Sequence, residues 1–302
     1  MDNPNAQTPF LQLHSDAFRA IVEELSDHTK VLLSQTCRSI RHMLQKEKIV
    51  PALSAPEHVR LLVHLSRGNP DVWVCATCKK QHPVTEGDLW GDNRFSSCPN
   101  RKFSRRREGM CRINYARVQL ALKYSRFAID NSRIDSHLKR LIRPEGSVLR
   151  VKHRHNLAEF TSSSRPRVID GRFLVKYTWK YRLHSGSYTP SKMPSMMVCD
   201  HQRLLRPAGG VVWGEERKQL FRTVLQAMLD DRNGVEYCGS CPFCPTDFTV
   251  RSFDNRMRID AWKDFGPEDG PSNPTWKSHS LSEAQRTPKH RGSVRRLYYE
   301  IY

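Results

Sequence analysis

The stretch Cys238–Arg251, CGSCPFCPTDFTVR, sets the terms for reading the chain. Cys238, Cys241 and Cys244 stand at C-x-x-C-x-x-C spacing, with Gly239, Pro242 and Pro245 shaping the turn. Two thiolates on one tight turn can reach the same zinc ion at tetrahedral angles. The run then passes into Phe248–Arg251, where aromatic and β-branched residues predict a strand. A strand leaving a metal-binding turn points to a mixed α+β domain whose loops are fixed by metal.

Working outward, the partners of that turn are found in Cys199-Asp200-His201. Cys199, His201, Cys241 and Cys244 would form a site of three thiolates and one imidazole, with Cys238 as a substitute or a bystander. Residues i and i+2 of a strand point the same way, so Cys199 and His201 can share an ion only if the chain bends there. Otherwise His201 reads as a hydrogen-bonded structural histidine. The ligands are too dispersed for the compact run of a ferredoxin-like iron–sulfur cluster. A second cluster begins with the C-x-x-C pair Cys75 and Cys78 and continues through His82, Cys98 and Cys111. Four of these five would close a structural zinc site, leaving no position for a catalytic water. The competing reading is a redox pair with Cys98 and Cys111 as buried hydrophobes, but the βαβ setting of a thioredoxin-like site is missing. One or two structural zinc ions are therefore expected, and Cys37, on an apolar helical stripe, reads as core.

Toward the N-terminus, Phe18, Ile21, Val22 and Leu25 fall at one-face helical spacing, and Leu33, Cys37, Ile40 and Leu44 form a second stripe. Ser26 and Asp27 supply stop and cap chemistry between them, so Phe10–Leu44 predicts two amphipathic helices joined by a tight turn. Pro51 and Pro56 mark a linker before a helix over Glu57–Ser66. Helices are expected over Tyr115–Phe127, Ile134–Ile142 and Glu215–Leu229. Strands are expected over Val148–Lys152, Arg172–Trp179 and Arg296–Ile301. The expected α+β organisation is a short helical segment over residues 1–50 and a linker with a helix over 51–72. A Cys-rich mixed domain follows over 73–265, then a loop and C-terminal strand over 266–302.

The chain has 302 residues, and its 50 Lys and Arg against 31 Asp and Glu give a formal charge of +19. Such a charge favours an acidic protein surface or a nucleic-acid backbone as a partner. Two basic clusters stand out: Arg101, Lys102 and Arg105–Arg107, then Arg286, Lys289, Arg291, Arg295 and Arg296. Nucleic-acid binding would be more convincing if basic residues shared a helix or sheet face with exposed aromatics. The polar start lacks the layout of a secretory signal, and no stretch approaches the roughly 18 apolar residues of a membrane span. An intracellular protein, whose nine cysteines are thiols or metal ligands rather than disulfides, is the expectation. The sequence carries no G-x-S-x-G, no phosphate-binding glycine loop, no H-E-x-x-H and no dinucleotide fingerprint, so a non-catalytic protein is expected. Glu215, Glu216, Asp230 and Asp231 read as helix-end residues.

Leu13-x-x-Asp16, Ile21, Leu25, Leu32 and the ending Thr36-Cys37-Arg38 resemble an F-box, with His14 and Asp16 where the motif usually has proline and glutamate. The remainder resembles a group of filamentous-fungal F-box-domain proteins with a cysteine-containing C-terminal region. The matching runs include Val74–Cys78 with His82-Pro83, Val118–Lys123, Val198–His201, Cys241–Phe248 and Trp262–Gly266. The resemblance implies a substrate receptor of an SCF-type ubiquitin ligase. It would dock a Skp-family adaptor attached to a cullin, hold a target protein in its C-terminal domain and carry out no transfer chemistry. The implied contacts are Leu13, Phe18, Ile21, Leu25, Leu32 and Leu33. A zinc-containing, basic nucleic-acid-binding or nuclear regulatory protein is the alternative, and a non-docking F-box remnant with a structural role is a third. Salt separates the first two, because phosphate neutralisation is steeply salt-dependent and apolar docking is not.

Overall fold

The computed structural model describes residues 12–46, 52–90, 98, 113–153, 156–183, 196–204, 214–230, 234–254, 256–279 and 292–300. Two compact units divide the chain, Met1–Pro83 and Val84–Tyr302.

In the first unit, the expected pair of helices is three: α1 (Ser15–Glu23), α2 (Asp27–Ser34) and α3 (Arg38–Lys46). The break between α2 and α3 has a local cause. The Ser34 hydroxyl donates to the Val31 carbonyl and the Thr36 hydroxyl to that of Leu33, so side chains take over carbonyls that a continuing helix would use. Phe18, Val22, Ile40 and Leu44 form a small core, with Leu33, Cys37 and Met43 packed against it. Helix α4 (Ala55–Leu65) starts two residues before the expected one, capped by Ser54, whose Oγ accepts from the Glu57 N–H, with proline in its first turn. Its Val59 and Val63 pack on Val74 of β1 (Val72–Cys75), which pairs antiparallel with β2 (Lys80–Pro83). The Glu57 carboxylate bridges α4 to α2, 2.6 Å from the Nδ1 of the buried His28 and 2.9 Å from Arg60.

The second unit is built on a six-stranded antiparallel sheet in the order β3-β4-β5-β10-β9-β8. Its strands are β3 (Glu145–His153), β4 (Asn156–Ile169), β5 (Arg172–Leu183), β8 (Glu236–Ser240), β9 (Thr246–Phe253) and β10 (Arg256–Pro267). A separate two-stranded hairpin is formed by β6 (Met197–Cys199) and β7 (Gln202–Arg203). Strand β4 escapes a hydrophobicity scan because its buried positions, Phe160, Ser162, Ser164 and Pro166, are mostly polar or small. The buried side of the sheet includes Val175, Tyr177 and Trp179 of β5, Ile259 and Ala261 of β10, and Phe248 and Val250 of β9. Helices α5 (Glu86–Trp90), α6 (Tyr115–Phe127) and α7 (Ser132–Leu141) pack together, and α6 also packs on β4 and β5. A 3-10 turn over Glu215–Lys218 leads into α8 (Gln219–Leu229), which packs on β8 and β9.

The expected strand at Arg296–Ile301 is instead a helix. After the short α9 (Pro274–Lys277), α10 spans Ser293–Tyr299 and lays Val294 and Tyr298 over Leu174 and Trp262. The Asp247 carboxylate of β9 accepts from the N–H groups of Gly292, Val294 and Arg295. A helix start capped from 45 residues away leaves no local trace, so β-branched and aromatic composition misleads there.

Candidate metal centres

The C-x-x-C of the first unit sits on the β1–β2 hairpin. Cys75 ends β1, Cys78 lies in the turn and His82 is on β2 opposite Trp73, against which its ring stacks. Lys79 takes the left-handed backbone that closes the turn (φ 53°), and its N–H donates to the Cys75 carbonyl at 2.8 Å. The Cys78 N–H points at Cys75 Sγ at 3.4 Å, a contact that holds the two cysteines on one turn. Donor atoms of Cys75, Cys78 and His82 all lie within 4.8 Å of one another, so this group could hold a metal ion. His82 Nε2 is buried without a hydrogen-bond partner among the described residues, as expected of a nitrogen kept for a ligand. Cys98 is buried and belongs to the second unit, and Cys111 lies outside the described residues.

Cys199, His201, Cys241 and Cys244, all buried, form a complete four-donor set within the second unit, with every donor atom within 4.8 Å of the others. Sulfurs held tetrahedrally about 2.3 Å from a zinc ion lie about 3.8 Å apart, so the set closes on an ion by a small contraction. The bend required between Cys199 and His201 is present: β6 ends at Cys199, the chain turns at Asp200 and His201, and a register shift falls between Met197 and Cys199. Both ring nitrogens of His201 are buried without a hydrogen-bond partner among the described residues. An imidazole left so without a partner is costly, and an ion coordinated among the three sulfurs would satisfy one of the two nitrogens.

Cys241 and Cys244 lie on a knuckle between β8 and β9. The Cys241 N–H donates to the Thr246 carbonyl at 2.8 Å, the Asp264 N–H of β10 donates to the Pro245 carbonyl at 3.0 Å, and the Phe243 N–H lies 3.4 Å from Cys241 Sγ. Hydrogen bonds from the thiols of Cys199 and Cys244 hold Cys241 down, to about 4, in spite of its burial. Burial pushes Cys244 up, and the adjacent sulfurs add to the effect. The same surroundings thus favour the thiolate at Cys241 and the thiol at Cys244, and a cation entering the set would displace the remaining proton there.

Two further features tie the centre to the fold. The buried Gln202 carboxamide donates to the Glu216 carbonyl at 2.7 Å and accepts from the Leu220 N–H at 3.1 Å, fixing the β6–β7 hairpin to the start of α8. His279, held neutral by burial with its pKa lowered to about 4, bonds the Asp264 carbonyl at 2.8 Å. His279 falls in a stretch that reads as loop, and nothing in the sequence signals its role.

Cys238 stands apart from the set, on the exposed surface, with its Sγ 3.8 Å from the Arg295 guanidinium. Positions three apart on extended chain face opposite ways, so a knuckle that directs Cys241 inward turns Cys238 out. Among the expected adaptor contacts, Phe18 and Leu33 are used inside the helical core, Leu25 and Leu32 are half-buried, and Leu13 and Ile21 are exposed. The basic run Arg101–Arg107 and Arg286, Lys289 and Arg291 lie outside the described residues, whereas Arg295 and Arg296 are on α10. None of the eight described cysteines is in a disulfide, and no described helix is long and apolar enough to cross a membrane. The chain matches no protein-family model, no curated protein and no solved structure.

Proposed function

We propose that the chain is a non-catalytic substrate receptor, an F-box-type protein that docks a Skp-family adaptor of a cullin ubiquitin ligase through its N-terminal helices and presents a target protein on its second unit. The observation that carries this reading is the build of the helical segment. Three short helices close a core of their own around Phe18, Val22, Ile40 and Leu44, yet leave Leu13 at 39% and Ile21 at 43% exposure. Large aliphatic side chains left out beside a completed core fit a helical docking surface. The metal is zinc, and its role is structural. Three thiolates and an imidazole are a zinc donor set, and four protein ligands leave no open position for water activation.

Co-purification of the full chain with a Skp-family adaptor tests the docking. The full chain is retained at low and moderate salt, and Ile21→Asp, at an exposed position that leaves the helical core intact, is not. Failure of the full chain to retain the adaptor at either salt overturns the receptor reading. Elemental analysis of chelator-free protein finds zinc, and a folded, stable, metal-free chain overturns that assignment.

A further inference from the structure

We propose that the outer face of the six-stranded sheet binds single-stranded nucleic acid, a function separate from adaptor docking. Directly paired residues on neighbouring strands project from the same side of a sheet, so the register defines the face. One cross-strand row runs Arg182, Arg256, Phe253, and the next runs Thr161, Lys180, Arg258, Arg251. All the cations of these rows are exposed. Farther along the same side stand Arg165 and Lys176, which pair across β4 and β5. With strands about 4.8 Å apart and same-face residues nearly 7 Å apart along each strand, the exposed cations form a regular array beside the part of this side that α10 covers at Leu174 and Trp262.

The acidic residues on this side are largely committed. Glu236 binds both Arg251 and Arg295, Asp260 binds Arg258, Asp264 binds Arg172, and Asp247 caps α10. Glu159 stands opposite Arg182 across β4 and β5. Arg165, Lys180, Arg182 and Arg256 have no ion pair among the described residues. Exposed cations on one sheet face that make no ion pair among the described residues are complementary to a chain of phosphates.

Aromatic rings at the two ends of the array single out nucleic acid among polyanions. Phe253 is 51% exposed and directly opposite Arg256. Tyr299 of α10 is 46% exposed, edge-on to Trp262 with the Lys176 ammonium at its hydroxyl. An acidic peptide would satisfy the cations and leave the ring faces bare. A single strand offers a phosphate to each cation and an unstacked base to each ring, the combination that holds single strands without sequence preference. A duplex keeps its bases stacked inside and would gain from the cations alone.

Fluorescence anisotropy of the full chain with dye-labelled oligo(dT) and oligo(U) of about 15 nucleotides, at about 50 and about 200 mM salt, tests this. Either oligomer should bind more tightly than a duplex of the same length. Phe253→Ala should weaken binding roughly 5- to 160-fold, the range for loss of one base–aromatic stack. The Arg182→Ala/Arg256→Ala double variant should reduce the slope of log affinity against log salt by about 1.4, or about 0.7 for each lost phosphate contact. Lys180→Gln is a second, independent charge variant, and melting temperatures report that each variant is folded. Ile21→Asp, which tests adaptor docking, should leave oligonucleotide binding unchanged, so the two readings fail separately. Unchanged affinity in the face variants, preference for duplex, or equal competition by polyglutamate with no effect of Phe253→Ala would each overturn the proposal.

Discussion

The two units each carry a group of metal donors and organise it differently. In the first, Cys75, Cys78 and His82 belong to one hairpin, and the hairpin leans on α4 through Val59, Val63 and Val74. In the second, Cys199 and His201 come from one hairpin and Cys241 and Cys244 from a knuckle some 40 residues later, and the four meet because β6 and β7 are fixed to α8 while the knuckle is tied to β10. The local group costs little chain entropy to assemble. The dispersed one closes a long loop and so gains more when an ion locks it. A donor set drawn from distant segments therefore holds a fold together, whereas one drawn from a single hairpin mainly holds that hairpin.

Removing a ligand from the dispersed centre should have the largest effect. Cys244→Ser is expected to release metal and lower stability by about 4 kcal/mol or more, the scale of a lost structural metal, read by elemental analysis and thermal melting. The matching change in the first unit, Cys78→Ser, should lose metal while leaving the main melting transition in place. Equal melting losses for the two would break the contrast between local and dispersed assembly.

Next in size is Gly239→Ala. The Phe248 ring lies across Gly239, so an added Cβ would overlap it and displace the start of the knuckle. A cost of about 1–3 kcal/mol is expected, measured by denaturant unfolding. Weakened metal retention in the same variant would show that the sheet positions Cys241 and Cys244.

The first unit depends more on a polar bridge, and pH can address it. Burial alone would raise the Glu57 pKa, but hydrogen bonds from His28, with the charge of Arg60, bring it below its ordinary value near 4.5. A carboxyl with a depressed folded-state pKa contributes stability above its unfolded value and loses it as pH falls through the folded one. Glu57→Gln should therefore cost about 1–2 kcal/mol at neutral pH and progressively less below about pH 4. Hydrogen exchange in α2 and α4 would follow it, and a pH-independent cost would mean that shape rather than charge matters at this position.

The smallest effect is expected of Cys238→Ser. With its thiol exposed outside the donor set, the change should stay within about 0.5 kcal/mol and leave the metal content unchanged. Loss of metal on this substitution would return Cys238 to the ligand set.

The sequence by itself determined the parts that local spacing encodes. The helical repeats at Tyr115–Phe127 and Glu215–Leu229, the two cysteine turns and the strands around Arg172 and Phe248 follow from periodicity, turn residues and thiol spacing, all of which act over a few residues. The α+β class follows from them. Only the tertiary structure decided how these parts meet. It bent the chain so that Cys199 and His201 converge, turned Cys238 outward, and made Ser293–Tyr299 a helix by presenting the Asp247 carboxylate to it. It also set Lys180 and Arg182 beside Arg256 and Arg258, more than 70 residues away, on a face that no run of basic residues announces. The reason is common to all of these: strand register and helix caps are set by atoms remote in the chain, and a one-residue change in the register of β5 or β10 would move its cations to the opposite side of the sheet.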